Sequence, residues 1–209
     1  MGRVIKISSG NDFNRAIERA GDVLRRGGLV AYPTESFYGL AVDATNAHAI
    51  DRLFFVKKRD AGRPVLILIP SAQVLERYVA DIPHVALRLI ERFWPGALTL
   101  IFSAGVSILP VLTAGTGKIG IRLSSHNVAT ALAENIGVPI TGTSANISGE
   151  PSCCSAQEVR KAFGDLVDLV LDGGETTGEM ASTVLDVTVK PPVIIREGMV
   201  GRDQLKEFL

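Results

Sequence analysis

The run Lys57-Lys58-Arg59-Asp60-Ala61-Gly62-Arg63-Pro64 places four cations within seven residues of an otherwise charge-neutral chain. Arg offers a planar fork that matches phosphate or carboxylate, and Lys a compact charge, so a Lys-x-Arg pair on a loop suits a polyanion such as a triphosphate. A solvated surface turn is the plain alternative for such a cluster taken alone. Two further arginines bear on that choice. In Ile119-Gly120-Ile121-Arg122-Leu123, strand alternation puts Arg122 on the face opposite Ile121 and Leu123; Val193-Ile194-Ile195-Arg196 treats Arg196 the same way. Ligands of open α/β sheets gather at the carboxyl ends of strands, so both arginines are expected beside the Lys-Arg loop in one anion pocket, although each alone could be half of a salt bridge.

Short hydroxyl and amide residues cluster at other strand ends: Pro33-Thr34-Glu35, Thr143-Ser144-Ala145-Asn146 and Ser182-Thr183. They orient small polar ligands without supplying a general base; capping and turn formation explain each of them equally well in isolation. Other motifs fail. Gly115-Thr116-Gly117-Lys118-Ile119-Gly120 fits a dinucleotide loop, but a strand follows it where a helix should open. As a triphosphate loop it has Leu112 in place of the first glycine and Ile119 in place of the Ser or Thr that would meet magnesium. His48, His84 and His126 lack ligand spacing, and Ser144 is not in a nucleophile elbow.

The elements that must position these residues alternate between helix-like and strand-like patterns. This predicts one α/β domain over residues 1–209, an open, twisted, mixed or mostly parallel sheet with flanking helices. Phe13, Ile17, Ala20 and Leu24 recur at helical spacing and predict a helix over 12–26, stopped by Gly27-Gly28. A strand over 29–32 follows. A helix over 47–56, capped by Thr45 or Asn46, then leads to an apolar strand over 65–69, expected at the centre of the sheet. Helices are expected after Ser71 and over 83–93, the second capped by Asp81 and ended by Trp94-Pro95-Gly96. Strands over 97–102 and 119–123 precede a helix capped by Ser124 or Ser125 and ending at Gly137, and a strand over 140–143. Ser155 to Glu158 fits a capping box for a helix ending near Gly164; strands near Leu169, Val184 and Ile194 and a short helix from Arg202 follow.

Bulk properties narrow the function. With 22 Lys plus Arg against 22 Asp plus Glu, no global field attracts nucleic acid or an anionic membrane, so any anion site is local. No apolar segment approaches the roughly 20 residues that span a bilayer. The polar stretch from Ser8 to Asn14 lacks the apolar run of a secretory leader, and the adjacent pair Cys153-Cys154 suits neither a disulfide framework nor zinc. A cytoplasmic protein with inert thiols and no membrane contact is expected.

Jointly, Tyr32 to Leu40, Lys57-x-Arg59, Trp94-Pro95-Gly96 with Thr99, Gly120-x-Arg122, Thr143-Ser144-Ala145-Asn146-x-Ser148-Gly149, Ser182-Thr183-Val184-x-Asp186 and Arg196-Glu197-Gly198 cover nearly the whole chain. In that order they resemble the YrdC-like family of threonylcarbamoyl-AMP synthases. The resemblance implies the family's open α/β fold with a concave cationic surface. It also implies condensation of ATP, L-threonine and bicarbonate into threonylcarbamoyl-AMP with release of pyrophosphate; partner enzymes then carry the threonylcarbamoyl group to certain tRNAs. Residue by residue, it implies that Lys57, Arg59, Ser144, Asn146 and Arg196 hold the nucleotide, with Lys118 and Ser152 in segments that approach ATP, and that Thr34, Arg122 and Ser182 hold threonine or its carbamate. By the same resemblance Lys57 and Arg59 are expected to carry the catalytic stabilisation of charge, and Mg2+ is expected to arrive with ATP rather than at a protein-built site, since no paired carboxylates advertise one.

Departures from that pattern are Asp60 and Arg63, where Pro and Asn or Gly are usual, Ser36 for Thr and Ala41 for Gly. Asp60 could pair with Arg59 or Arg63. Ending at Leu209, the chain is expected to be the short, stand-alone form. The competing readings are an RNA-binding module that uses the same surface on tRNA without catalysis, and a paralogue that has lost synthase activity.

Overall fold

The computed structural model describes residues 3–7 and 10–209; Met1, Gly2, Ser8 and Ser9, part of the N-terminal stretch considered above, lie outside them. The chain begins with β1 (Arg3–Lys6), α1 (Asn11–Arg25), β2 (Val30–Pro33), β3 (Tyr38–Ala41), α2 (Ala47–Lys57) and β4 (Ile67–Leu68). After a 3-10 turn come α3 (His84–Phe93), β5 (Leu98–Ser103), α4 (Pro110–Thr113), β6 (Lys118–Arg122), α5 (Asn127–Ile136), β7 (Ile140–Thr141) and β8 (Thr143–Ser144). It continues through α6 (Ala156–Phe163), β9 (Leu169–Asp172), β10 (Thr183–Asp186), β11 (Val193–Arg196) and α7 (Arg202–Leu205).

The strands form two mixed sheets, not one: β1-β9-β2-β3-β8 and β11-β10-β5-β6-β4-β7. Ala31, Tyr38 and Leu40 of the first, with Leu29 just before β2, share a core with Ile67, Leu98, Leu100, Phe102, Ile119 and Ile121 of the second. A smaller cluster forms where Ala16, Ile17, Ala20 and Leu24 of α1 meet Val128, Ala129, Leu132 and Ala133 of α5. The helical periodicity read from α1 is thus what buries it, apart from Phe13, which is only partly covered.

Several local readings change. The strand expected over 140–143 divides: β7 pairs with β4 in the larger sheet, and β8 pairs with β3 in the smaller. Gly142 sits at the step, where a Cβ would lie 2.3 Å from Leu66 Cδ1. The strand expected over 65–69 keeps only two ladder residues, because Val65 N–H turns to Leu112 O and Ile69 N–H to Arg122 O. It lies one place from the edge, and β5 and β6 hold the centre. β1 and β3 were not expected; all four residues of β3 are buried, so it shows none of the alternation that marks a half-exposed strand. Asn46 caps α2, its side chain accepting from Ala49 N–H. His126 Nδ1, rather than Ser124 or Ser125, accepts from Val128 N–H at the start of α5, and α3 starts after Pro83 with no side-chain cap, so Asp81 has no such role. Ser155 caps α6 as the capping box requires, but Glu158 reaches back to Cys154 N–H.

Gly198 lets the chain after β11 press against the segment before β10. A Cβ there would lie 2.2 Å from Ala181 O and 2.6 Å from Ser182 C, both backbone atoms that no rotamer change removes. Gly198→Ala is expected to destabilise the fold by about 1–3 kcal/mol in denaturant unfolding. The exposed neighbour Glu197, paired with Arg202 at 3.0 Å, serves as control: Glu197→Ala should cost less than about 1 kcal/mol.

Candidate functional site

A cavity of about 520 Å³ opens over one face of the larger sheet, beneath the β2–β3 hairpin. Its floor follows the two-residue repeat of strands. Thr99 and Ile101 of β5, Lys118, Gly120 and Arg122 of β6 and Val184 of β10 face it, whereas Leu98, Leu100, Phe102, Ile119, Ile121 and Leu185 point to the core and are 0% exposed. Thr34, Ser36 and Phe37 of the hairpin turn, the 64–66 segment, Ser144 and Arg196 form the sides. The site therefore lies on a sheet face. A mixed sheet has no common carboxyl edge at which ligands could collect, which corrects the expectation from parallel α/β folds.

Of the residues singled out above, Thr34, Arg59, Lys118, Arg122, Ser144, Ser152, Ser182 and Arg196 line this cavity. Every cation among them has an oxygen partner. Arg122 Nη1 pairs with Glu35 Oε1, and Glu35 Oε2 accepts from Ser124 Oγ at 2.5 Å. Arg122 Nε is buried with no hydrogen-bond partner among the described residues. Lys118 Nζ donates to Asp186 Oδ2 at 2.8 Å. Burial would raise the Asp186 carboxyl, but hydrogen bonds from Lys118 and Thr188 outweigh it and hold the group below the ordinary carboxylate range. Arg196 Nη2 donates to Ser182 O at 2.7 Å and Ser182 Oγ at 3.2 Å. Arg59 Nη2 donates to Pro64 O at 2.7 Å, and the Asp60 carboxylate accepts from Gly62 N–H at 2.9 Å, closing a local turn instead of pairing with Arg59.

Lys57 and Asn146 stand behind the wall. Lys57 is the last residue of α2 and only 1% exposed, not an exposed loop cation. Its Nζ donates to Ser144 O, to Asn146 O at 2.8 Å and to Asn146 Oδ1 at 3.2 Å. Asn146 Oδ1 in turn accepts from Ser144 Oγ at 2.7 Å. The lysine thus pins the loop that presents Ser144 to the cavity. Burial, followed by the nearby Arg59 charge, pushes its ammonium down to about 7.

Glu35, Thr99 and Asp186, which carry no role in the sequence pattern, each hold a cavity-lining residue: Arg122, Ser182 and Lys118 respectively. The signal for Thr99 was its place between Leu98 and Leu100, which puts its hydroxyl on the non-core face. Among the described residues, no group of three or more His, Cys, Asp or Glu could hold a metal ion, and no helix is long and apolar enough to cross a membrane.

Fold and site define an α/β protein with two mixed sheets and a cavity lined by paired cations and hydroxyls. The chain belongs to the Sua5, YciO and YrdC family: the family model, described as telomere recombination, matches residues 22–198. Over 92% of its length the chain is 39% identical to a threonylcarbamoyl-AMP synthase of Pyrococcus abyssi, covering 57% of that protein. It is 37% identical over 92% of its length to the Bacillus subtilis protein of the same name, covering 56% of it. The chain thus spans little more than half the length of these relatives. The solved structure of P. abyssi Sua5 complexed with L-threonine superposes over the whole chain with a TM-score of 0.93 at 36% identity, and 61% of that protein is covered.

Lys57 carries a testable signature. Its folded pKa of about 7 lies below the ordinary 10.5, so unfolding takes up a proton between those values and stability attributable to Lys57 rises with pH across that window. Denaturant titrations should show wild type gaining stability over Lys57→Met from pH 7 to 9, by up to about 1.4 kcal/mol per pH unit. Parallel pH profiles would mean that Nζ keeps its proton on the three oxygens.

Proposed function

We propose that the chain condenses ATP, L-threonine and bicarbonate into threonylcarbamoyl-AMP and pyrophosphate. The observation that carries this reading is the composition of the cavity wall: Arg59, Lys118, Arg122 and Arg196 meet the hydroxyls of Thr34, Ser144 and Ser182 in one space. The name of the P. abyssi and B. subtilis relatives, and the threonine in the P. abyssi complex, support it.

The chemistry suits such a wall. The threonine amine adds to the carbon supplied by bicarbonate, water is lost, and a carbamate results. A carbamate oxygen then attacks the α-phosphorus, and the bond to pyrophosphate breaks with its electron pair on the leaving group. This second step needs alignment and neutralisation of charge more than proton transfer. Arg59, Lys118, Ser144, Ser152 and Arg196 would hold the nucleotide; Thr34, Arg122 and Ser182 would hold threonine and its carbamate. Lys57 and Asn146 would act from behind by fixing Ser144. Mg2+ would come with ATP as part of the substrate. The product would be used in the cytoplasm by enzymes that transfer the threonylcarbamoyl group to tRNA.

Mass spectrometry of a reaction containing ATP, threonine and 13C-bicarbonate should detect labelled threonylcarbamoyl-AMP, with pyrophosphate released only when all three substrates are present. Threonine-dependent pyrophosphate release without bicarbonate would indicate a different ligase. Arg59→Ala removes one charge-assisted contact and is expected to lower kcat/KM by roughly 10- to 150-fold, with Arg59→Lys recovering only part. Folding stability should move by less than about 1 kcal/mol. Wild-type kinetics in Arg59→Ala would remove this residue from the site.

A further inference from the structure

On the floor of the cavity Thr99 Oγ1 and Ser182 Oγ lie 3.0 Å apart, 1% and 5% exposed, on segments 83 positions apart in the chain. The distance leaves open which hydroxyl donates; both side chains line the cavity, so either arrangement leaves one proton for a ligand, and the chemistry of that ligand decides which. A guanidinium has donors and no acceptor, so Arg196 Nη2 must donate to Ser182 Oγ across their 3.2 Å contact. One lone pair of Ser182 is then occupied. Thr99 Oγ1 has Ser182 Oγ as its one hydrogen-bond partner among the described residues. If Ser182 donated to Thr99, it would keep no proton for an anion in the cavity. If Thr99 donates, its proton is satisfied and both lone pairs of Ser182 are filled. The Ser182 proton is then left to point into the cavity.

The main chain under Ser182 is held against any rearrangement that would relax this. Arg196 Nε and Nη2 both donate to Ser182 O, Thr183 N–H bonds to Ala97 O at 3.0 Å, and Met199 N–H bonds to Ala181 O at 3.0 Å.

We propose that Thr99 is a positioning residue for the reaction, donating to Ser182 Oγ so that, with Arg196, it turns the Ser182 O–H toward an anionic carboxylate or carbamate oxygen of the amino-acid substrate. This rests on the reading of the cavity as a threonylcarbamoyl-AMP synthase site. The chain Thr99 to Ser182 to anion is cooperative, because each hydrogen bond polarises the next and the last acceptor is charged.

Thr99→Val keeps the branched shape and removes the hydroxyl. Steady-state kinetics should show threonine KM rising roughly 3- to 10-fold, with ATP KM within about two-fold and the effect on KM rather than kcat. Thr99→Ser, which retains the hydroxyl, should restore most of the loss. In the Ser182→Ala background, Thr99→Val should cost nothing further, since there is no hydroxyl left to orient. Calorimetric titration of L-threonine into wild type and the four variants should reproduce the pattern in Kd. An additive double variant, an unchanged threonine KM, or ATP and threonine KM rising together with a lower Tm would overturn the positioning role. Threonine binding with the expected coupling but no threonylcarbamoyl-AMP from wild type would sink the synthase reading and leave the role of Thr99 intact; absence of threonine binding would sink both.

Discussion

A guanidinium that is almost wholly buried must have an anion, and the anion that Arg122 finds lies in the other sheet. Glu35, on the β2–β3 turn, accepts from Arg122 at the end of β6 and from Ser124 just beyond it. The desolvation cost of such a pair is large, so removing either partner leaves an uncompensated charge and costs more than the intact pair contributes. That constraint sets the height of the hairpin over the sheet, and with it the space between them. Arg122 Nε is buried and has no hydrogen-bond partner among the described residues.

The same logic explains how a chain with zero net charge gathers four cations on one cavity wall. Each cation on the wall is held by a local oxygen: Lys118 by Asp186, Arg196 by the backbone and hydroxyl of Ser182, Arg59 by the backbone carbonyl of Pro64. Carbonyl partners hold a cation in place without cancelling its charge, whereas a carboxylate partner cancels it. Arg59 and Arg196 therefore present more net positive potential to the cavity than Lys118 and Arg122 do. Of the three cations proposed for the nucleotide, Arg59 and Arg196 keep this positive field and Lys118 does not.

Lys57 and Arg59 belong to one short motif, yet the fold separates their work. The left-handed turn at Lys58, φ 48°, ends α2 and sends Arg59 to the cavity side while Lys57 stays inside. Inside, burial favours the neutral amine and three oxygens favour the ammonium. The outcome is a lysine that shapes the Ser144 to Asn146 loop, so loss of its charge acts on the site through the backbone.

Periodicity determined much of this from residues close in sequence. The repeat of two in 119–123 was enough to put Arg122 on the face opposite Ile121, and the repeat of 3.6 in α1 was enough to name Ile17, Ala20 and Leu24, though not Ala16, among the residues that meet α5. The strand after Gly117 was enough to dismiss the dinucleotide loop. Partnership was not legible, because it depends on contacts between distant parts of the chain: Arg122 and Glu35 are 87 positions apart, as are Lys57 and Ser144. Local pattern says which way a side chain points, but only the packing of two sheets decides whether it meets solvent, a carbonyl or a carboxylate. For that reason the strand over 140–143 read as one element and folds as two, and the Lys-x-Arg motif read as one clamp and folds as a wall residue and a buried pin.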